Sequence, residues 1–230
     1  MEGLKQFDLA VTPLREVNRF LHRDAHGAGV RHVKIFNADG AHSIAAGCHA
    51  PLDIEVDGHA GYYLGGMNMQ ANITVHGNAG PGVGENMMSG TIRVTGNASQ
   101  AAGATGQGGL LIIEGSTSSR CGISMKGIDI VVGGSVGHMS AFMAQSGALV
   151  VCGDAGASLG DSIYEARLYV AGKVESLGSD CVEKQMTAHH KQKLRRLLDA
   201  AKIKADVSRF RRYGSARKLY NFHVDNADAY

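Results

Sequence analysis

The sequence has no tryptophan, only three prolines and no long apolar run. Its longest fully apolar stretches, such as Ala148–Cys152, contain about five residues, whereas a transmembrane helix needs ~20. The first residues include Glu2 and Asp8 and lack the apolar segment of a signal peptide. We therefore expect a cytoplasmic protein that has no membrane partner.

Motifs that would indicate catalysis are also missing. The cysteines Cys48, Cys121, Cys152 and Cys181 are scattered and include no CxxC pair, which favours free thiols over a disulfide framework or a zinc site. The eleven histidines show no metal-ligand spacing. No Ser/His/Asp, paired-carboxylate or Cys/His set indicates a nucleophile or a general base. The sequence thus predicts no catalytic, cofactor-binding or metal-binding residue.

Charge of either sign is scarce in total but unevenly placed. Residues 1–180 carry a net charge of −5 and residues 181–230 a net charge of +7. The basic residues of the second segment alternate with apolar ones instead of forming a run. This pattern favours a tail that docks on an acidic surface, its own or a partner's, over a nucleic-acid-binding tail.

Glycine is abundant, with 32 of 230 residues, about twice the usual fraction. Seven glycines that close short apolar segments follow one another at intervals of 19 residues. They are Gly58, Gly77, Gly96, Gly115, Gly134, Gly153 and Gly172. Aliphatic residues stand two and four positions before each glycine, and this alternation predicts a strand with one buried face.

A 19-residue repeat of strands and glycines predicts an all-β chain, a parallel β-helix of about seven coils over residues 33–180. Each coil buries its face only against its neighbours, so the ends need caps. The glycine runs at 80–84 and 103–109 fall in register with the corners of the coils and precede no helical pattern, which argues against a nucleotide loop. Upstream, Ile35 stands 19 residues before Ile54 and indicates a degenerate first coil.

Residues 1–32 are predicted to form the N-terminal cap. Phe7, Leu9 and Val11 alternate as in a strand, and Thr12-Pro13 is typical of a helix start. That helix should run to about Arg23.

Residues 181–230 are predicted to form a C-terminal helix and a basic docking tail. The strand pattern stops after Gly172. Thr187 is a suitable N-cap for a helix to about Lys202, with Leu194, Leu197, Leu198 and Ala201 on one face. The segment Arg209–Tyr230 is expected to be an extended tail.

An outward-facing column of the β-helix changes from polar to apolar along the rod. The column consists of Glu55, Thr74, Arg93, Ile112, Val131, Val150 and Tyr169. An apolar outer stripe has to be covered, either by the chain's own C-terminal helix or by another subunit.

Seven of the nine methionines fall in the irregular part of the coils. They are Met67, Met69, Met87, Met88, Met125, Met139 and Met143. A flexible thioether fills irregular gaps well, so the favoured interpretation is core filling. The alternative is an apolar surface that faces a partner or a small-molecule tunnel.

The segments GGMNMQANITVHGNAG and GENMMSGTIRVTGNA resemble the GXGXG domain, the C-terminal right-handed β-helix of glutamate synthase. The segments SLGSDCVEKQMTAHHKQKLRRLLDAA and FRRYGSARKLYNFHVDNADAY resemble the stand-alone bacterial members: the GlxC-type proteins and the β-helix subunit of N-methylglutamate synthase, or methylamine–glutamate N-methyltransferase. The resemblance implies a right-handed β-helix that serves as a non-catalytic scaffold subunit.

The resemblance also implies partners and a reaction. The scaffold would pack in a hetero-oligomer between a class II amidotransferase-like subunit and an FMN/iron–sulfur glutamate synthase-like subunit. FMN and the iron–sulfur cluster are expected in that second partner and not in this chain. The complex would convert methylamine and glutamate into N-methylglutamate and ammonia.

Two other interpretations stay open. One is the β-helix subunit of formylmethanofuran dehydrogenase or of another glutamate-synthase-like complex, because the fold is the same. The other is a free-standing β-helix enzyme. The 19-residue period does not fit the six-residue repeat of acyltransferase solenoids, and residues 54–172 hold few cations for a lyase groove.

Overall fold

The computed structural model describes residues 3–217 and forms one 11-stranded sheet with few helices. The strands are β1 (Leu4–Asp8), β2 (His32–Phe36), β3 (Asp53–Asp57), β4 (Asn72–His76), β5 (Thr91–Val94), β6 (Leu110–Ile113), β7 (Lys126–Val132), β8 (Ser146–Val151), β9 (Arg167–Val170), β10 (Cys181–Lys184) and β11 (Arg211–Ser215). The helices are α1 (Leu14–Arg19), α2 (Ala25–Gly27) and α3 (Ala188–Ala201), with a π-helical turn at Phe20–Asp24 and a 3-10 turn at Val207–Arg209.

Strands β3 to β9 stack in parallel, each paired with its equivalent in the next coil at an offset of 19 residues. Ile54, for example, lies opposite Ile73, and Ile73 opposite Ile92. All three are at most 1% exposed. The aliphatic positions of the repeat thus form continuous interior columns, and the predicted parallel β-helix of about seven coils is confirmed.

The first coil differs from the prediction. Strand β2 pairs with β3 at an offset of 21 residues, so Ile35 lies opposite Val56 and not opposite Ile54. Val33 and Ile35 fill the two aliphatic columns and are buried. The coil is therefore fully formed but longer by two residues, and the 19-residue count hid its regular strand.

The N-terminal cap follows the sequence prediction in outline. Strand β1 ends at Asp8 and pairs in parallel with β2, and Val11 is 80% exposed. The predicted alternation through Val11 was therefore too long. Helix α1 begins at Leu14 with Pro13 in the N-cap position, one residue later than Thr12-Pro13 suggested. The buried Val17 and Leu21 anchor the helical segment on the first coil.

The corners need glycine for two reasons. A side chain at Gly96 would lie 2.7 Å from the carbonyl oxygen of Gly77 in the preceding coil, so the closing glycines allow adjacent coils to approach. Gly103 has φ +67 and would push a side chain to within 2.6 Å of Ile130. The second glycine, present in five of the seven coils, thus permits a left-handed turn above a full core; Ala141 adopts φ +56 at the equivalent position.

A ladder of polar side chains runs along one corner of the rod. Asn97 Oδ1 accepts the backbone N–H of Ser116 at 2.8 Å, and the N–H of Asn97 donates to Asn78 Oδ1 at 2.8 Å. The same bond recurs between the other coils. Its acceptors are His59, Asn78, Asn97, Ser116, Ser135 and Asp154. Each coil thereby satisfies a backbone donor of the next one.

Helix α3 covers the apolar outer stripe. Leu194, Leu197, Leu198 and Ala201 pack with Ile112, Val131, Val150 and Tyr169 in a second core outside the β-helix. The predicted helix from Thr187 to about Lys202 is confirmed, with Lys202 ending it in a left-handed conformation. Of the two candidates for covering the stripe, the chain's own helix and another subunit, the chain's own helix covers it.

No helix within residues 3–217 combines the length and apolarity that a bilayer span requires.

Two polar contacts fix the position of α3. Arg93 stands where the outer column changes from polar to apolar, and its Nη2 donates to the carbonyl oxygen of Ala201 at 2.6 Å while Nη1 meets Glu114 at 2.6 Å. Near the middle of the helix, Lys193 Nζ lies 3.2 Å from Asp129 Oδ1 on β7. The guanidinium group of Arg93 therefore binds the carbonyl end of the helix, where positive charge is favourable.

The sequence suggested that the strand pattern stops after Gly172, but two more strands follow. Strand β11 pairs antiparallel with β9, and β10 pairs antiparallel with β11. Both strands belong to the C-terminal segment and close the end of the stack without continuing the repeat. The described part of the expected extended tail is therefore a strand, whereas residues 218–230 lie outside the described residues.

Replacing Asn97 by Ala should lower the free energy of unfolding by about 1 kcal/mol, because the N–H of Ser116 loses its acceptor. Urea unfolding measures the change. Asn97→Asp should restore most of the loss, since Asp154 fills the same place in its own coil. Gln100→Ala, at an exposed position of the same coil, should change stability by less than about 0.5 kcal/mol. Equal losses for Asn97→Ala and Gln100→Ala would contradict the role of the ladder.

Replacing Val131 by Asp should release α3, because the carboxylate would be buried without a partner between the sheet and the helix. Limited proteolysis within residues 185–205 should become faster by at least tenfold, and the circular dichroism signal at 222 nm should fall. Thr74→Asp introduces the same charge into the same column where α3 does not cover it and should leave both unchanged. Similar digestion of the two variants would show that the stripe does not hold the helix.

Candidate interaction surface

The thiols of Cys48, Cys121 and Cys181 are buried, that of Cys152 is partly buried, and all four are poorly reactive. The structure leaves all four cysteines unpaired, as predicted. Burial raises the pKa of Cys121 to about 12 and that of Cys181 to about 11. It also raises the pKa of Cys48 and of Cys152. These groups stay protonated at neutral pH, so none has the thiolate character of a nucleophile.

Two histidines, His59 and His190, have structural partners. His59 Nδ1 accepts the backbone N–H of Asn78 in the polar ladder. His190 Nδ1 lies 2.7 Å from Thr187 Oγ1 at the start of α3. In the part of the chain that the structure describes, no three His, Cys, Asp or Glu side chains converge as metal ligands would. The absence of site residues stays a prediction.

Both glycine-rich runs lie in turns between strands, as their register predicted. Gly82 and Gly84 have φ +72 and +65, and Gly103 and Gly109 have φ +67 and +84. The runs lead into the strands β5 and β6 and not into helices. They lack the helix N-terminus that a phosphate-binding loop presents to its ligand.

The methionines of the coils are not all alike, which the sequence interpretation did not separate, and Met139 among them is partly buried. Met87 and Met125 are fully buried and fill the core, as favoured. Four others are exposed by 41–53% of their surface and do not fill it. They are Met67, Met69, Met88 and Met143. For these four the core-filling interpretation was wrong, and the alternative of an apolar surface fits.

Five exposed apolar residues are concentrated in two consecutive coils and form what we call the methionine face. Its members are Tyr62, Tyr63, Met67, Met69 and Met88. Met69 and Met88 stand at equivalent positions, 19 residues apart. Tyr62 and Tyr63 are about half exposed. All five residues lie in the turns between β3 and β5, on the side of the coils that carries no strand.

The aromatic side chains of this face are held in place. The ring of Tyr62 stacks on His42 with centroids 4.5 Å apart, and it meets Tyr63 edge to face at 6.5 Å. Tyr63 and Met67 line a shallow groove of about 260 Å³ with Glu85 at its edge. Tyr63 and Met67 both have φ +57, a left-handed conformation. The face therefore presents a shaped apolar surface.

Sequence reasoning missed the two tyrosines. A signal was available: two adjacent aromatic residues follow Gly61 in a turn whose equivalents in other coils hold no Phe, Tyr or Trp, such as Ser119 and Ala157. A large ring cannot enter a core that aliphatic residues already fill. The tyrosine rings therefore have to lie on the surface of the β-helix, and an aromatic pair on the surface is typical of an interface.

Comparison with known proteins agrees with this geometry. The profile of the GXGXG motif family matches residues 39–224. The chain is also similar to Protein GlxC of Rhizobium meliloti (strain 1021), with 60% identity over 225 residues, which cover 97% of this chain and 98% of that protein. These matches confirm the resemblance found in the glycine repeat and in the C-terminal segments. The chain belongs to the GXGXG motif family, as a relative of the GlxC type.

Proposed function

We propose that the chain is the β-helix scaffold subunit of N-methylglutamate synthase. The complex takes up methylamine and glutamate and releases N-methylglutamate and ammonia. Family membership supports the coarser part of this statement, a subunit of a glutamate-synthase-like complex. The amine and the two partners are the finer part.

The methionine face is the observation that carries the proposal. Exposed apolar area costs about 25 cal/mol per Å² relative to burial, and Tyr and Met are enriched in protein–protein interfaces. The chain covers its other apolar surface with its own α3. In the described residues, no segment covers Tyr62, Tyr63 and Met67, which are each about half exposed. A partner subunit that docks here would bury them.

We assign the chemistry to the partners. The class II amidotransferase-like subunit and the FMN/iron–sulfur subunit would pack on this chain, which holds them in a fixed relative position. FMN and the iron–sulfur cluster would belong to the second partner. This division agrees with a chain whose four thiols have raised pKa values and whose His59 and His190 serve in hydrogen bonds.

The assignment can be tested by purifying the tagged chain from its host and identifying the chains that accompany it by intact mass, flavin absorbance and metal content. We expect an amidotransferase-like chain and a flavin- and iron-containing chain. The assembly should form N-methylglutamate and ammonia only when methylamine and glutamate are both present. Activity with another amine would overturn the finer assignment alone. A molybdenum or tungsten partner, or recovery of the chain by itself, would overturn the proposal.

Met67→Asp should reduce recovery of the flavin-containing subunit at least tenfold, which corresponds to about 1.4 kcal/mol of binding free energy. The charge would lie within the apolar contact, whereas the folded chain should keep its thermal stability because Asp tolerates a left-handed backbone. Val11→Asp is the matched control: it places the same charge at an exposed apolar position of the N-terminal cap. Unchanged recovery with Met67→Asp, or an equal loss with Val11→Asp, would contradict the assignment of the interface.

A further inference from the structure

A second surface lies at the C-terminal end of the stack, where β9, β10 and β11 meet. Four cationic side chains line an open cavity of about 260 Å³ there: Arg167, Lys184, Arg212 and Arg217. Glu165 is the one carboxylate among the lining residues that the structure describes. The three strands come from separate parts of the sequence, so the cluster is a product of the antiparallel closure of the sheet.

Most of this positive charge is not neutralised within the described residues. Arg217 forms an ion pair with Asp180. Arg212 directs its Nε to the carbonyl oxygen of Gln185 at 3.0 Å. Arg167 and Lys184 have no carboxylate within 4 Å among residues 3–217, Glu165 included. The cavity therefore gathers cations that lack a counter-charge.

The surroundings strengthen this electrostatic field. Partial burial lowers the pKa of Arg212, and the neighbouring Arg167 lowers it further. Burial lowers the pKa of His190, and Arg212 and Arg167 act on it in the same direction. Behind the cavity, opposite Arg212 in the sheet, Tyr169 is fully buried and its hydroxyl has no hydrogen-bond partner in the described chain. Charges beside such a poorly hydrated region interact more strongly than charges in open water.

We propose that this cavity binds a small oxyanion, a phosphate or carboxylate group, between Arg167 and Lys184. Guanidinium groups bind both kinds of oxyanion through paired N–H donors. The volume lies below the about 300–1,000 Å³ of sites for drug-sized ligands, so the site suits an anion of few atoms. It lies on another part of the chain than the methionine face and does not depend on the proposed complex.

Isothermal titration of the full-length chain with inorganic phosphate, and separately with glutamate, tests the site at constant ionic strength set with sodium chloride. We expect one binding event per chain for at least one of the two probes. The stronger probe identifies the source of the oxyanion, and either result supports the site. Absence of binding by both would overturn the proposal, including the case in which the chain's own residues 218–230 block the cavity.

Variants separate a built site from general charge attraction. Arg167→Gln and Lys184→Gln should each weaken binding at least tenfold, because each removes a cation from the cavity. Arg195→Gln removes the same charge from an exposed position of α3 and should leave binding unchanged. Thermal unfolding of each variant without ligand verifies that it folds. If Arg167→Gln does not fold, Lys184→Gln alone provides the test. Equal weakening by Arg195→Gln would overturn the proposal.

Discussion

Every coil of this protein depends on its neighbour, because a single 19-residue turn has one apolar face and nothing of its own to bury it against. The parallel register solves this problem by placing like residues on like residues, Ile54 on Ile73 and Ile73 on Ile92. Inside, the columns exclude water. At the corner, the side chains of Asn78 and Asn97 bind backbone donors of the following coil. Packing and hydrogen bonding therefore impose the same period.

The same register explains why the outside of the rod is uneven. A column of the repeat is polar at Glu55 and apolar from Ile112 onward, and α3 lies only over the apolar part. Arg93 marks the boundary, where it binds the end of the helix. The turn side has no such cover, and there Tyr63 and Met67 stay exposed. Among the described residues, the apolar stripe is covered by the fold itself, whereas the methionine face has no cover from the chain.

The repeat was readable from the sequence because its glycines and aliphatic residues recur at fixed distances, and α3 was readable because Thr187 and the Leu194 face follow helical rules. The first coil was misjudged because two added residues shift Ile35 from one column to the next without altering its chemistry. The methionine face was only hinted at, by two adjacent tyrosines and by the alternative interpretation of the methionines, and the cationic cavity was beyond reach. Exposure depends on which turn positions face outward, and Arg167 and Arg212 meet only through antiparallel pairing of distant segments.

The fixed register also makes the rod a spacer of defined length. Each coil adds ~4.8 Å along the axis, so five coil steps from β4 to β9 separate the methionine face from the cationic end by roughly 24 Å. This distance follows the number of coils, whereas residues added within a turn, such as the two extra residues of the first coil, leave the columns intact. A chain with one coil fewer would keep both surfaces and bring them ~4.8 Å closer. The number of repeats thus sets how far apart molecules bound at the two proposed sites would stand.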